Sequence, residues 1–282
     1  MEKISPKKSL GQNFLVDKNI SRKIADSLDC KPDDVIIEIG CGTGALTEQL
    51  LDRNPKYLFS VDIDKRAIDA VKLTLSKTVY NNYELIHSDI RNIQILDLIK
   101  KENKTNIRFK VIGNIPYNIS GDILFWLFTQ RHLIDKAIIM MQKEVVQRLT
   151  AKPNSKLYGI TTVAMNLTSD CKALFNVSPK CFYPVPKVTS TVLEIIPGKD
   201  KFAGVEFDDV MTLVKAAFNQ RRKVLKNALF GYFQNSGISI DDISKTAPRE
   251  ISVMFSKRAE QLNVQDYISL YNYFESIKKE IK

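Results

Sequence analysis

The segment with the most specific chemistry is Asn114-Ile115-Pro116-Tyr117, which follows an apolar run at residues 108–112. The amino group of adenine is a poor nucleophile because its lone pair is delocalised into the ring. An asparagine oxygen and a main-chain carbonyl, both accepting from that amino group, would favour a pyramidal nitrogen whose lone pair points at an electrophile. Pro116 restricts the backbone and can hold the carbonyl in place, and Tyr117 can stack on a base extruded from its helix. The segment predicts alkylation of an adenine amino group, against the alternative of an ordinary turn with a packed tyrosine.

A second candidate region is the glycine-rich sequence at residues 38–44, which comes directly after an apolar run. Gly40 and Gly42 allow a tight turn and a close approach of the backbone to a ligand where a helix begins. Asp62 ends the next apolar run, where a carboxylate can accept both ribose hydroxyls of an adenosine. Because Gly40, Gly42 and Ala45 also match the dinucleotide fingerprint, a nicotinamide cofactor and a purely structural turn both stay open.

A third candidate is Asp89, which follows Ser88 at the end of another apolar run. Its carboxylate can accept from the adenine amino group of an adenosine cofactor that lies across the strand ends. This placement favours an adenosine-containing cofactor. The alternative is that Asp89 only caps a helix, which is the commoner use of an aspartate at such a position.

These candidates need a scaffold that brings them together, and the chain between about residues 33 and 141 predicts one. Five apolar runs have the length of β-strands and alternate with amphipathic stretches: 35–39, 57–61, 83–88, 108–112 and 137–141. Ile68, Val71 and Leu75 recur at helical spacing behind Asp64, a candidate cap. The alternation predicts a parallel sheet with helices on both faces, with ligands bound at the carboxyl ends of its strands.

Two further predicted strands, 171–177 and 189–196, lie on either side of Tyr183-Pro184-Val185-Pro186. Too few residues separate them for a crossover helix, so we expect them to pair antiparallel. After Pro197-Gly198 the pattern changes, and from about Phe207 it predicts helices only. We therefore expect a first domain over residues 1–200 and a small α-helical domain over residues 201–282.

One basic segment stands out in the predicted helical domain. Residues 214–230 contain five basic residues and no acidic one. On a single helix, Val214, Phe218, Leu225 and Leu229 would face inward, whereas four basic side chains would point outward: Arg221, Arg222, Lys223 and Lys226. A solvated face is the alternative to a nucleic-acid contact.

Composition narrows the class of protein. The net charge of +10 over 282 residues suits a polyanionic partner such as nucleic acid, although it also suits plain solubility. No apolar run approaches the roughly 20 residues of a membrane helix, so we expect a cytoplasmic protein without membrane contact. Four cysteines without CxxC spacing and two histidines predict reduced thiols and no metal site.

Taken together, the motifs resemble those of the rRNA adenine dimethyltransferases, and within that family the bacterial small-subunit (16S) type. The resemblance covers most of the chain: KSLGQNFL (8–15), EIGCGTGALTEQL (38–50), VDID (61–64), SDI (88–90), GNIPYNIS (113–120), QKEVVQRL (142–149), PNSKLYG (153–159), FYPVPKVTSTV (182–192) and AFNQRRK (217–223). Ile115 stands where leucine is commoner in the family, and Cys41 where proline is common. Both side chains are of tolerable size and polarity.

The resemblance implies a fold and a set of site residues. The fold is α/β: a Rossmann-like S-adenosylmethionine-dependent methyltransferase domain, with a mostly parallel seven-stranded sheet and one antiparallel strand, plus a small α-helical C-terminal domain. The cofactor is S-adenosylmethionine, without a metal. The implied cofactor-binding residues are Asn13, Leu15, Gly40, Asp62, Asp89 and Asn114; the catalytic ones are Asn114, Pro116, Tyr117 and Phe182; the RNA-binding ones are Arg221, Arg222, Lys223 and Lys226. Phe182 would stack on the target adenine opposite Tyr117, unless it is a core aromatic.

The resemblance also implies a reaction: dimethylation of N6 on two adjacent adenosines in a hairpin loop near the 3′ end of 16S rRNA, with four S-adenosylmethionine molecules. The implied partner is an immature small (30S) subunit, and the enzyme would be a monomer that also serves subunit biogenesis. Two alternatives stay open: a 23S rRNA adenine dimethylase of the macrolide-resistance type, and a ribosome-assembly factor in which catalysis is secondary. A dehydrogenase is disfavoured because no segment resembles a hydride-transfer site.

Overall fold

The first of the two compact units of the chain, residues 1–146 and 170–199, contains a mixed β-sheet. The computed structural model describes residues 4–101, 108–198, 205–234, 239, 243 and 246–281. Its strands are β1 (Phe14–Leu15), β2 (Val35–Ile39), β3 (Tyr57–Asp62), β4 (Tyr83–His87), β5 (Phe109–Asn114), β6 (Ile134–Gln142), β7 (Ser169–Val177), β8 (Phe182–Tyr183) and β9 (Ser190–Pro197). Seven of them form one sheet in the order β4-β3-β2-β5-β6-β9-β7.

Five neighbouring strands of this sheet, from β4 to β6, run parallel, and β9 pairs antiparallel with β6. The predicted mixed sheet of seven strands is therefore confirmed. β6 begins at Ile134, three residues before its predicted start, and β7 and β9 are hydrogen-bonded neighbours. The order reverses between β2 and β5, which is where open sheets of this kind bind ligands at the carboxyl ends of their strands.

The helices of the described residues cover the sheet and make up most of the C-terminal part. They are α1 (Lys18–Ser27), α2 (Ala45–Leu51), α3 (Lys65–Leu75), α4 (Ile95–Lys101), α5 (Ser120–Thr129), α6 (Lys143–Leu149), α7 (Ile160–Thr168), α8 (Phe207–Asn219), α9 (Leu225–Ala228), α10 (Phe230–Gln234), α11 (Arg249–Met254) and α12 (Val264–Ile281). The cap expected at Asp64 is present, because its side chain accepts from the backbone N–H of Arg66.

Apolar side chains fill the space between sheet and helices in the first unit. All five residues of β2 are buried, and Ile68, Val71 and Leu75 of α3 pack into the same core. A strand buried on both faces needs a nearly continuous apolar run, which β2 has apart from Glu38, and this made it recognisable in the sequence.

A second, two-stranded sheet was not predicted. β1 pairs antiparallel with β8, with Phe14 opposite Tyr183 and Leu15 opposite Phe182. Strands of two residues carry no periodicity that a sequence pattern could show. This pairing fixes the N-terminal segment to the loop that precedes β9.

The chain divides into two compact units whose limits differ from the predicted domains. The first unit comprises residues 1–146 and 170–199, and the second comprises residues 147–169 and 200–282. Residues 147–169, which we expected in the first domain, belong with the second. Aromatic packing explains this: the ring of Tyr158 lies 6.4 Å from that of Phe218, which is stacked 6.4 Å from Tyr267.

The prediction of one helix over residues 214–230 is wrong. α8 ends at Asn219, and a separate short helix, α9, starts at Leu225. The backbone N–H groups of Leu225 and Lys226 donate to the carbonyls of Lys257 and Phe255 at 2.7 and 3.1 Å. Tertiary hydrogen bonds replace helical ones here, so the helical periodicity of the apolar residues was misleading.

The register of β2 on β5 depends on the absence of a side chain at Gly113, which lies opposite Ile39. A Cβ built on Gly113 would lie 2.7 Å from the carbonyl oxygen of Ile39 and 3.0 Å from its Cβ, so backbone would have to move. We expect Gly113→Ala to lower the free energy of unfolding by about 1–3 kcal/mol in urea denaturation.

Gly121→Ala is the matched control, because a Cβ at that helical position meets nothing within 4 Å. It should be neutral or stabilise by up to about 1 kcal/mol. Equal stability of the Gly113→Ala variant and the unaltered protein would contradict this account of the register.

Candidate active site

A deep cleft opens at the carboxyl ends of the central parallel strands. It holds about 1220 Å³ of space, including open solvent at its mouth, which is ample for a nucleoside joined to an amino acid. Its lining includes the candidate residues Asn13, Leu15, Gly40, Asp62, Asp89, Asn114, Pro116 and Tyr117. Residues distant in the sequence thus meet in one cleft because their strands end at the same edge of the sheet.

The glycine loop forms one wall of the cleft. Gly40 has φ +80°, and a Cβ placed on it would approach the carbonyl oxygen of Asn114 at 3.6 Å. Its N–H donates to the carbonyl of Val61 at 2.8 Å, which ties the loop to β3. The left-handed backbone at Gly40 is the feature that makes glycine the favoured residue there.

Asp62 lies at the end of β3 with both carboxylate oxygens held by backbone. The N–H of Gly42 donates to one oxygen at 2.9 Å, and the N–H of Asp64 donates to the other at 2.8 Å. Burial raises the pKa of Asp62, although these two donors favour the ionised form. The thiol of Cys41 is 3.8 Å from the same carboxylate, and burial raises the pKa of that thiol and keeps it protonated.

Asp89 has the expected capping use, and its contact with a cofactor stays a prediction. It caps the 3-10 turn at residues 90–92 through the N–H of Arg91, and it also lines the cleft. The Arg91 guanidinium binds its carboxylate at 2.6 Å and also reaches Asp122 at 2.9 Å. Hydrogen bonds from Arg91 hold the pKa of Asp89 below its usual range, so the carboxylate is ionised and able to accept.

Asn114, the last residue of β5, lines the cleft. Its Nδ2 donates to the carbonyl oxygen of Asn13 at 3.0 Å. Because a carbonyl can only accept, this bond fixes which end of the Asn114 amide is nitrogen and which is oxygen. Asn13 and Leu15 of the N-terminal segment line the same cleft, and their contact with a cofactor stays a prediction.

Tyr117 begins a 3-10 turn directly after Pro116. Its hydroxyl is 2.7 Å from the Oγ of Ser190, and burial raises the pKa of the phenol. The ring is held at the cleft by a neutral hydrogen bond. Ser190, which lies in the quoted segment 182–192 but was not among the predicted site residues, supports the ring.

Phe182, expected to face the target base opposite Tyr117, lies in the hydrophobic core instead. Its side chain is 2% exposed and packs in one cluster with Leu15, Val177 and Val192. The neighbouring Tyr183 is 61% exposed, since successive side chains of a strand point to opposite faces. In this structure Phe182 is therefore a core aromatic, which was the alternative to stacking. Its role in stacking on the target adenine stays a prediction.

The four basic residues expected to bind RNA lie in the second unit and differ among themselves. Arg222 and Lys223 are exposed and Lys226 is half-buried. Arg221 instead forms an ion pair with Glu260 and donates to the carbonyls of Ser155 and Lys156 at 3.2 and 3.0 Å. It therefore holds the 155–156 loop within the unit.

The structure brings two further basic residues to this region. Val224 forms a β-bridge with Arg258, and the adjacent Leu225 is bonded to the Lys257 carbonyl. The segments 222–226 and 257–258 together form what we call the basic loop pair. The second segment could not be predicted from the sequence, because only tertiary hydrogen bonds join it to the first.

Glu38 is a buried acid at the cleft that sequence analysis did not include among the site residues. It is fully buried and accepts from Thr47 at 2.8 Å and from Ser60, while its Oε1 has no hydrogen-bond partner among the described residues. Burial raises the pKa of Glu38 to about 7. Its position before the glycine loop was visible in the sequence, but its burial was not.

The side chains of the cleft fit an adenosine-containing sulfonium. The carboxylates of Asp62 and Asp89 are acceptors of the kind that ribose hydroxyls and an adenine amino group require, and apolar side chains such as Ile39 and Ile90 also line the cleft. Within the described ranges, no group of three or more His, Cys, Asp or Glu is arranged to hold a metal ion. The helices of those ranges include none that is long and apolar enough to cross a membrane. Fold and site together define an S-adenosylmethionine-dependent methyltransferase.

Comparison with known proteins gives the family. Residues 4–276 match the family model for ribosomal RNA adenine dimethylase. The chain is 35% identical over 277 residues to the ribosomal RNA small subunit methyltransferase A of Sulfurihydrogenibium sp. (98% of this chain, 99% of the relative). It is 38% identical over 271 residues to the protein of that name from Francisella tularensis subsp. novicida (96% and 98%). The chain belongs to the ribosomal RNA adenine dimethylase family, whose methyl donor is S-adenosylmethionine.

Solved structures agree with this assignment. A dimethyladenosine transferase from Plasmodium falciparum has a TM-score of 0.78 and 28% identity, covering 93% of this chain and 98% of that one. The 23S rRNA methyltransferase ErmE has the same fold, with a TM-score of 0.67 at 21% identity, covering 93% of this chain and 100% of that one.

The raised pKa of Glu38 predicts a pH-dependent stability. In the unfolded chain the carboxyl ionises near pH 4.5, whereas in the folded protein burial raises its pKa to about 7. Stability due to the neutral carboxyl is therefore complete below pH 4.5 and lost as the pH rises through 7. Glu38→Gln removes this dependence. The free energy of unfolding of the variant minus that of the unaltered protein should therefore increase by roughly 1–3 kcal/mol from pH 5 to pH 8.

Urea denaturation at the two pH values measures this difference. Glu250→Gln, at an exposed position in α11, is the control and should follow the unaltered protein. If the free energy of unfolding changed equally with pH in the Glu38→Gln variant and the unaltered protein, Glu38 would be ionised in the folded protein and the prediction would be wrong.

Proposed function

We propose that this protein dimethylates N6 of two adjacent adenosines in a hairpin loop near the 3′ end of 16S rRNA, and thereby serves small-subunit biogenesis. The observation that carries the proposal is the orientation of Asn114: its Nδ2 is bonded to Asn13, so its Oδ1 is the end that can accept from an adenine amino group. The near full-length similarity to relatives named small subunit methyltransferase A supports the choice of RNA.

In the proposed reaction, the chain's residues prepare the amino group for attack. The Oδ1 of Asn114 and the main-chain carbonyl that precedes Pro116 accept the two N6 hydrogens and make the nitrogen pyramidal. S-adenosylmethionine supplies an electrophilic methyl group on a positively charged sulfur. A nitrogen–carbon bond forms as the sulfur–carbon bond breaks, S-adenosylhomocysteine leaves, and the acidified N6 proton passes to water. A second round uses the same pocket, which must readmit an N6 that carries one methyl group.

Tyr117 provides the base-facing ring in this proposal. Its hydroxyl is fixed by Ser190, so the ring is positioned before the extruded adenine arrives. Stacking by Phe182 on the opposite face of the base stays part of the proposal, and it requires that the Phe182 ring leave the core that buries it.

The basic loop pair is the proposed contact for the RNA backbone. Arg222 and Lys223 are exposed, and Lys257 and Arg258 belong to the segment hydrogen-bonded beside them. Neutralising phosphates releases counterions, which favours binding without reading sequence. The substrate in this proposal is an immature 30S subunit, met in the cytoplasm by a monomeric enzyme, and the net charge of +10 suits that partner.

Replacing Asn114 tests the proposed chemistry. We expect Asn114→Ala to lower the rate of methyl transfer at saturating cofactor by about 100-fold or more, as for other preorganised hydrogen bonds to a reacting group. Transfer of labelled methyl groups to immature small subunits measures the rate, and mass spectrometry of the RNA measures the methyl count. Both transfers should be lost together.

The control is Asn19→Ala, at an exposed position on α1, which should retain full activity. Calorimetry with S-adenosylhomocysteine verifies that each variant still binds ligand. A product of Asn114→Ala with one methyl on each adenosine would show that the residue acts only in the second transfer. Methylation of 23S rRNA in place of 16S rRNA would overturn the proposed substrate.

Removing the exposed charges tests the RNA contact. For the double variant Arg222→Ala/Lys223→Ala we expect weaker binding to small subunits, and a plot of log affinity against log salt shallower by about 1–2. Filter binding at several salt concentrations measures both. The matched control, Lys72→Ala/Lys77→Ala, removes two exposed charges from the first unit; the same loss in both double variants would indicate only a general charge effect.

A further inference from the structure

Asp64 is a nearly buried carboxylate, 3% exposed, that the proposed chemistry does not use. Arg66 donates to it through Nε at 3.0 Å and Nη2 at 2.6 Å. The side-chain Nε2 of Gln12 donates to it at 3.0 Å, across 52 residues of sequence. These donors, Arg66 first, hold the pKa of Asp64 well below its usual range, so the group is a permanent anion within the fold.

The same donors fasten the N-terminal segment at two places. The Oε1 of Gln12 accepts from the backbone N–H of Lys7 at 2.8 Å, which keeps residues 7–12 in a compact turn. The Nη1 of Arg66 donates to the carbonyl of Ser5 at 3.1 Å. Asp64 thereby anchors both ends of residues 5–12. It is bonded directly to Gln12 at one end, and through Arg66 to Ser5 at the other.

The segment continues from this anchor across the cleft to Asn114. Residues 9–15 line the cleft, and the carbonyl of Asn13 accepts from Asn114. Gly11 passes so close to Asn118 that a Cβ there would lie 2.5 Å from the Asn118 Oδ1. We call residues 5–15 the strap, since it is bonded to Asp64 on one side of the cleft and to Asn114 on the other.

We propose that Asp64 is a positioning residue for the methyl donor: through Gln12 and Arg66 it holds the strap over the cofactor cleft. This rests on the proposed cofactor site. Asp64 also reaches that site through its own N–H, which donates to the carboxylate of Asp62 at 2.8 Å. One residue thus fixes both the acid assigned to the ribose and the segment that covers it.

The proposal predicts a change in how long the cofactor stays bound. Losing one anchor should let the strap open more often, so that the bound ligand dissociates faster. The association rate should change little, because binding forms no contact that the variant lacks. For Gln12→Leu and Arg66→Ala we expect the dissociation constant of S-adenosylhomocysteine to rise about 10-fold, equivalent to about 1.4 kcal/mol, mostly through the dissociation rate. KM for the methyl donor should rise more than kcat falls.

Two further variants separate the anchor from general stability. Gln12→Glu keeps the shape of the side chain but replaces the donor with a second carboxylate facing Asp64, so it should weaken binding more than Gln12→Leu. Lys65→Ala removes an exposed charge from the same turn of α3 and should bind within twofold of the unaltered protein.

Stopped-flow displacement of S-adenosylhomocysteine measures the rates, and hydrogen exchange measures opening of the strap. We expect faster exchange at the N–H groups of Leu10 and Gly11, which donate within the strap, and unchanged exchange in β2. Unchanged dissociation constants in Gln12→Leu and Arg66→Ala would overturn the proposal, as would equal binding by Gln12→Glu and Gln12→Leu. Because the readout is ligand binding, failure of the RNA methylation assay is a separate result that concerns the proposed function alone.

Discussion

The hydrogen-bonded register of β2 between β3 and β5 is the constraint on which the site depends. It places Ile39 level with Val61 on one side and with Gly113 on the other. The next residue of β3, Asp62, therefore emerges beside the glycine loop, and the next residue of β5, Asn114, emerges across from it. A slip of one residue would reverse the side-chain directions of a strand, and acid and amide would no longer face one cleft. The absence of a side chain at Gly113 is what permits the close approach of β5 to Ile39 in this register.

A second constraint comes from the N-terminal segment, because the strands of the sheet provide only part of the lining of the cleft. The N-terminal segment is tied to Asn114 by a side-chain bond and to the loop before β9 by the β1–β8 pair. Asn114 therefore has two uses. Its nitrogen holds the segment in place, which leaves its oxygen oriented for the substrate. In the proposed reaction a single amide both holds the N-terminal segment and accepts from the substrate, and an aspartate at this position could not donate the bond to Asn13 when ionised.

The sequence was informative wherever a residue's use is decided by its own strand. Continuous apolar runs predicted the parallel strands, and polar residues after them predicted the cleft. The sequence was less informative where contacts between distant segments decide the conformation or burial of a residue. The helix expected over residues 214–230 breaks because Leu225 and Lys226 bond to residues 255–257. Arg221 is drawn inward by Glu260, and Phe182 is buried through a two-stranded sheet without periodicity. These are tertiary contacts that no local pattern encodes.

The central claim is that the strand register brings Asp62, Asp89 and Asn114 to one cleft, where they meet the methyl donor and the amino group. A crystal structure of the protein with S-adenosylhomocysteine tests it most directly. The account predicts ribose hydroxyls on the carboxylate of Asp62, the ligand's adenine amino group within hydrogen-bond distance of Asp89, and the sulfur facing the Asn114 carboxamide. A ligand bound elsewhere, or bound in this cleft with its ribose away from Asp62, would contradict the account.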